Sequence, residues 1–313
     1  MRACSGRPRI MSGSPRLGVV GNDITGTSRG ALLPERVTFL HARKGTTVSE
    51  SQEIVFSLEE GIKTITLNTP EKRNALSASN ALAIAKEIEK SPEDGTRVII
   101  ITGAGGSFCA GADLSQDLFT RFQDAGRNLE AELDEMVSTT YHRLARAVYQ
   151  VPRPVIAAVD GVAAGFGCSL ALNADITLAS TRARFIQVFV DIALIPDGGS
   201  TFILPKLVGM KKALEMALTG EPVSAQEALE LHMVNRVYPA EELMEQSRAW
   251  AARLARGPVR TMGLAKRTFY EAHLMTYEQA LDLESRRQAR LMTQPDFFNA
   301  VVAFFQKKKP SFS

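Results

Sequence analysis

The chain has 313 residues, 45% of them hydrophobic and 23% charged, with a formal net charge of +3. These values suit a globular protein with a sizeable core and exclude a disordered or collagen-like chain. No basic stripe interleaved with aromatics marks a nucleic-acid partner, and no apolar run approaches the ~20 residues that span a bilayer.

Residues 1–48 stand apart, because Arg2, Arg7, Arg9, Arg16, Arg29, Arg36, Arg43 and Lys44 face only Asp23 and Glu35. Arg-rich, acid-poor composition reads as a disordered leader, translation from an upstream start with Met11 as an alternative, or a mitochondrial transit segment. The lack of an amphipathic stripe favours the leader, which places the protein in the cytoplasm; a transit peptide would place it in the mitochondrial matrix.

From Ser49 the pattern becomes regular. Ile54, Phe56 and Leu58, then residues 62–67, read as two short strands about the turn Glu60-Gly61. Ser77 is placed to cap a helix whose Ala81, Ile84, Ala85 and Ile88 recur at helical spacing. Val98-Ile99-Ile100-Ile101 reads as a strand buried on both faces, ending at Thr102-Gly103. One long helix is expected where Leu129, Leu133, Met136, Val137, Tyr141, Leu144 and Val148 form a stripe, stopped by Pro152 and Pro154. Residues 155–159 make another buried strand. A helix near Leu170, a strand at 176–178, a helix from about Lys211, a capping box Ser224…Glu227 and a strand at 234–237 follow. Repeated strand–helix turns with buried strands argue for an α/β core in stacked layers. After Pro239 only helical patterns remain, and the tail at 297–305 is apolar on more than one face, as for a helix buried in an interface.

Two Gly-containing loops follow buried strands, at 103–114 and at 160–168. Small residues allow close backbone approach, and a loop entering a helix aims free N–H groups at an anion. Facing one another, they would supply two donors to a developing oxyanion, although such turns are often only turns. Neither loop fits a dinucleotide or P-loop pattern. The three cysteines, Cys4, Cys109 and Cys168, have no CxxC or metal spacing, so disulfides and zinc are not expected.

Phe108-Cys109-Ala110-Gly111-Ala112-Asp113-Leu114 and Asp160-Gly161-Val162-Ala163-Ala164-Gly165-Phe166-Gly167 resemble the two signature loops of the enoyl-CoA hydratase/isomerase (crotonase) superfamily. So do residues 68–77 and Ile195-Pro196-Asp197-Gly198-Gly199, in the family's order. The resemblance covers residues 49–313. It implies an α/β crotonase-like spiral of ββα units at 49–239, and a C-terminal α-helical region at 240–313 that assembles a homotrimer or dimer of trimers. It further implies an acyl-CoA thioester as substrate, with coenzyme A entering only as part of it and no separate cofactor or metal. The thioester oxygen would accept from the backbone N–H groups of Ala112 and Phe166. Lys72, Ala75, Leu76, Ala110, Asp113 and Leu114 would contact coenzyme A, and Lys307 either reaches a CoA phosphate or belongs to a solvated run.

Hydratases of the family hold one water between two Glu residues, and the matching positions here are Ser169 and Phe189. Neither serves as a general acid or base at neutral pH, which argues against water addition. Asp197 matches the position where some family isomerases carry an acid/base carboxylate. One carboxylate suffices to move a double bond, since it can take a proton from Cα and return it at Cγ. A role for Asp197 as a helix N-cap is the plainer alternative. Asp191 reads as a surface or capping residue, His142 as structural, Tyr141 as core, and Cys109 and Cys168 as small packing residues. The expected activity is double-bond isomerisation, with hydration or non-catalytic acyl-CoA binding as alternatives.

Overall fold

The computed structural model describes residues 53–114 and 128–312, so the reading of residues 1–48 lies outside the described residues. Strand β1 (Ile54–Glu59) pairs antiparallel with β2 (Ile62–Leu67) through the Glu60-Gly61 turn. Thereafter β3 (Val98–Gly103), β4 (Val155–Val159), β6 (Ile176–Ser180) and β9 (Arg236–Tyr238) add in parallel, giving a six-stranded sheet ordered β1-β2-β3-β4-β6-β9. Ile99 and Ile101 belong to one apolar cluster and Val98 and Ile100 to another, so β3 is covered on both faces. That is why its sequence is uniformly apolar rather than alternating.

A second sheet of β5 (Val162–Ala164), β7 (Arg184–Ile186) and β8 (Val223–Ser224) was not expected from the sequence. Its strands are two or three residues long, too short to show a period of two.

Helix α1 (Ala78–Lys90) is capped as expected, the Ser77 hydroxyl accepting from the Asn80 N–H at 3.2 Å. The single long helix expected at 129–148 is instead two, α2 (Leu129–Thr139) and α3 (Tyr141–Gln150), broken at Thr140 with φ −114° and ψ −82°. Thr139 and Thr140 donate their hydroxyls to the carbonyls of Glu135 and Met136 at 2.6 and 2.5 Å, the back-bonding that bends helices. Helix α4 (Phe166–Leu172) is wholly buried. Helix α5 runs from Ser200 to Thr219 rather than starting near Lys211. Gly209, at φ 75° and ψ 158°, kinks it, so the expected helix is only the second half. Ser224 caps α6 (Ala225–Glu230) by accepting from Glu227 N–H.

Beyond Tyr238 the described chain is helical: α7 (Leu243–Ala255), α8 (Val259–Ala272), α9 (Tyr277–Met292) and α10 (Pro295–Phe305). Helix α8 is tied to the core by a buried pair. Lys266 Nζ donates to Asp175 Oδ2 at 3.0 Å and to the Val148 carbonyl at 2.8 Å. Tyr270 donates to Asp175 Oδ1 at 3.3 Å and stacks on Tyr149 with ring centroids 3.9 Å apart. Burial raises the Asp175 pKa and lowers that of Lys266, so desolvation of both charges opposes their attraction. Helix α10 leaves Phe298, Phe304 and Phe305 exposed in the single chain.

Candidate active site

The two Gly loops do face one another, and they are joined by backbone hydrogen bonds. Phe108 and Cys109 N–H groups donate to the Val162 carbonyl at 3.0 and 2.9 Å, and Ala164 N–H donates back to Cys109 at 2.9 Å. On the other side, Ala110 N–H donates to Arg73, Leu76 N–H to Gly111, and Asp113 N–H to Leu76. Residue 112 sits between two ladder bonds, so its own N–H points away from Leu76. Phe166 opens α4, where the first N–H groups have no helical acceptor. Among the described residues neither Ala112 nor Phe166 N–H has a backbone acceptor.

Glycine makes the closeness possible. A Cβ on Gly111 would stand 3.1 Å from the Ala164 carbonyl and 3.7 Å from the Phe166 nitrogen, so the segment carrying Ala112 lies directly against the start of α4. A Cβ on Gly167 would collide with the backbone oxygen of Cys109. Asn74, fully buried at φ 57°, fixes the outer edge: its Oδ1 accepts from Thr69 N–H, and its Nδ2 donates to Ala104 and Ser107 carbonyls at 2.9 and 2.6 Å. Asn74 lies in the 72–76 stretch that the resemblance assigns to coenzyme A contact, but its side chain is spent on backbone groups and positions the loop. Its only local signal is the Arg73-Asn74 pair, a place where Asn tolerates positive φ.

Asp197 lies on a turn packed over this pair. A Cβ on Gly198 would come within 3.0 Å of the Phe166 ring and 2.9 Å of Ser169 Cβ. Ser169 holds the turn rather than doing proton chemistry, donating to the Asp197 carbonyl at 2.9 Å and sharing a 2.7 Å bond with the Ser200 hydroxyl. Gln187 backs Ser200 at 3.2 Å, and Asn173 Nδ2 donates to the carbonyls of Ser169 and Gly198, both at 2.7 Å. The N-cap of α5 is Gly199, without a side-chain cap bond, so Asp197 does not act as the N-cap. Its Oδ1 is buried and has no hydrogen-bond partner among the described residues. Burial raises the Asp197 pKa from 3.8, and the charge of His142 pulls it partly back.

Tyr141 is buried, as read, but it also belongs to the site. Its ring meets Phe166 edge-on at 5.1 Å and its hydroxyl donates to the Leu76 carbonyl at 2.9 Å. Burial, with the charges of Asp113 and Asp197, pushes the phenol up to about 12. Phe189 is buried with its ring tip 3.9 Å from the position of a Cβ on Gly165, and it offers no proton. Burial pushes both Cys109 and Cys168 up to about 12, which keeps them as thiols and poor nucleophiles.

Among the residues expected to meet coenzyme A, Lys72 pairs with Asp113 at 3.3 Å on the rim. Leu76 is buried, Ala75 and Ala110 are half-buried, and Leu114 is exposed. Lys307 stands exposed past the end of α10, its backbone N–H donating to the Phe304 carbonyl at 3.0 Å. Among the described residues no cluster of His, Cys, Asp or Glu could hold a metal ion, and no helix is long and apolar enough to cross a membrane.

Residues 57–313 match the model of the enoyl-CoA hydratase/isomerase family. A Rhodobacter capsulatus protein named "Probable enoyl-CoA hydratase" is 38% identical over 260 residues, covering 83% of this chain and 97% of its own. The 1,2-epoxyphenylacetyl-CoA isomerase of Escherichia coli is 35% identical over 266 residues, covering 83% and 98%. The crystal structure of an enoyl-CoA hydratase from Polaromonas sp. JS666 superposes with a TM-score of 0.77 at 30% identity, over 83% of this chain and 99% of that one. The spiral α/β fold, the paired Gly loops and these matches together establish the chain as a member of the enoyl-CoA hydratase/isomerase (crotonase) family.

Proposed function

We propose that the protein is an enoyl-CoA isomerase that shifts a double bond with Asp197 as its single acid/base. The observation that carries this reading is the Asp197 carboxylate, half-buried above Phe166 with an Oδ1 that has no hydrogen-bond partner among the described residues; the resemblance adds that Ser169 and Phe189 stand at the positions matching the hydratase carboxylates. In the proposed reaction the thioester oxygen accepts from Ala112 and Phe166 N–H, which stabilises the enolate. Asp197 removes a Cα proton, a Cα=Cβ bond forms as the Cβ=Cγ pair moves to Cγ, and the same proton returns there. Its raised pKa suits both halves, since a group must be basic enough to take the proton and acidic enough to return it.

A ring-derived thioester such as the epoxide of phenylacetyl-CoA would share the first step, loss of the Cα proton to Asp197, with Cα=Cβ then forming as the Cβ–O bond of the epoxide breaks and its oxygen takes the electron pair; the 35% identity to the isomerase of that compound supports it. Hydration is the second reading, favoured by the 38% relative's name; it needs a water held by Asp197 and one further group. A non-catalytic acyl-CoA-binding protein is the third. In each case coenzyme A enters within the substrate, at a rim we assign to Lys72, Ala75, Leu76, Ala110, Asp113 and Leu114, with Lys307 as a further phosphate contact. Exposed Phe269, Phe298, Phe304 and Phe305 support assembly of the C-terminal helices into a trimer or dimer of trimers. Cytoplasmic or mitochondrial-matrix placement follows from the choice between leader and transit segment. The test is incubation of the purified protein with 3-enoyl-CoA, expected to yield 2-enoyl-CoA; tight CoA binding with no turnover across a thioester panel would overturn it.

A further inference from the structure

A phenol placed in an apolar interior loses its bonds to water, so a buried Tyr needs an internal partner for its hydroxyl. Tyr141, the first residue of α3, is buried, and its partner is the Leu76 main-chain carbonyl at 2.9 Å. A carbonyl has two lone pairs, and Leu76 also accepts from the Asp113 N–H at 2.8 Å. Leu76 N–H in turn donates to the Gly111 carbonyl at 2.8 Å. Leu76 thus holds the residues on either side of Ala112 and pairs with Ala112 itself as an isolated parallel bridge. Where Leu76 sits therefore decides where the Ala112 N–H points.

The ring of Tyr141 makes a second contact. It meets Phe166 edge-on, with centroids 5.1 Å apart and planes at 64°. Gly198 closes on the same Phe166 ring, since a Cβ there would stand 3.0 Å from it. Phe166 opens α4, so holding its ring restrains the backbone that carries its N–H. The next residue of α3, His142, instead lines a cavity of about 420 Å³ against α8, bounded by Gly198, Gly199, Tyr270 and Leu274. Consecutive residues of α3 therefore face different parts of the molecule, and Tyr141 is the one turned to the loops.

We infer, on the reading of the Ala112 and Phe166 N–H groups as oxyanion donors, that Tyr141 is a positioning residue for both: its hydroxyl sets the first through Leu76, and its ring sets the second. One rigid side chain then fixes the spacing between donors carried by segments far apart in sequence. Tyr141 is not a proton donor to substrate, because its hydroxyl is committed to Leu76 and burial pushes the phenol up to about 12. Its effect comes through geometry, since preorganised donors polarise a carbonyl fully only when correctly placed.

Isotope-edited infrared spectroscopy of a bound thioester reads the donors directly. The full chain is saturated with hexanoyl-CoA labelled at its thioester carbonyl, whose stretching frequency falls as N–H groups polarise it, whichever reaction the enzyme performs. Tyr141→Phe keeps the ring and removes the hydroxyl. It should lose about a third or more of the wild-type frequency shift, with kcat on 3-enoyl-CoA down about 5- to 50-fold and KM within about threefold, because the donors act on the enolate more than on the ground state. Tyr141→Leu removes both contacts and should lose more of the shift; if it does not fold, Tyr141→Phe decides alone. Tyr270→Phe removes a phenol bond to Asp175 on the C-terminal side, and should lower Tm while leaving the shift and kcat unchanged. A full wild-type shift in Tyr141→Phe, whatever its kcat, would overturn the inference, and so would an equal loss of shift in Tyr270→Phe. A loss no greater in folded Tyr141→Leu than in Tyr141→Phe would overturn the part given to the ring. Hexanoyl-CoA that fails to bind the wild type, or binds without any shift, would remove the donor reading and the role of Tyr141 with it.

Discussion

Ala112 and Phe166 contribute only backbone N–H groups, held by ladder bonds among residues 73–76, 108–113 and 162–164 and by glycines that let the segments touch. Asp197 contributes a side chain, on a turn held by Ser169, Ser200, Gln187 and Asn173. The first region is made of main chain and answers to neighbours; the second is made of side chains and answers to identity. In the proposed reaction the first region stabilises the thioester enolate, and the second decides which reaction follows.

The sharpest way to separate the two regions is Asp197→Asn, expected to lower kcat about 10²- to 10⁴-fold with the fold intact. The wild-type rate should rise with pH along a limb centred above 3.8, since burial raises the Asp197 pKa and only the ionised form is a base. That limb should be missing from the residual rate of the variant. A pH–rate profile of both proteins checks it.

Gly167→Ala probes the other region. The added Cβ meets the Cys109 carbonyl, a backbone atom that cannot swing aside, so the two loops must part. Loss of donor geometry should cost about 10²- to 10³-fold in kcat. Ala112→Ser, which keeps the N–H, should stay within roughly threefold and serves as the control in the same steady-state assay.

The smallest effect runs the other way. A carboxylic acid whose pKa is raised on folding destabilises the fold once ionised, so stability is lost as pH rises from 3.8 through the higher folded value. Asp197→Asn should therefore raise Tm at pH 7 by about 1–4 °C, with no difference at or below pH ~4. Thermal melts at the two pH values measure it.

Much of the fold was legible because burial leaves a mark on sequence. Residues 98–101 and 155–159 are apolar throughout since both their faces are covered, and Ser77 announces a helix by its capping chemistry. What escaped was short or contradicted locally. Strands β5, β7 and β8 are too brief to alternate, Thr140 breaks a helix whose apolar stripe continues across it, and Gly198-Gly199 with Pro205 disguise the first half of α5. At the candidate site, the roles proposed for Ala112, Phe166 and Asp197 come from the resemblance of their loops, while Asn74's bonding, the hydroxyl chain behind Asp197 and the cavity against α8 join residues far apart in sequence. No local pattern encodes such meetings.

The central claim is that Asp197 moves a proton on an enolate without adding water. Isomerisation of 3-enoyl-CoA and hydration of crotonyl-CoA, measured side by side for the wild type and Asp197→Asn, test it most directly. The account expects isomerisation in the wild type, its loss in the variant, and hydration near background in both. Crotonyl-CoA hydration far above background, or isomerisation undiminished in Asp197→Asn, would contradict it.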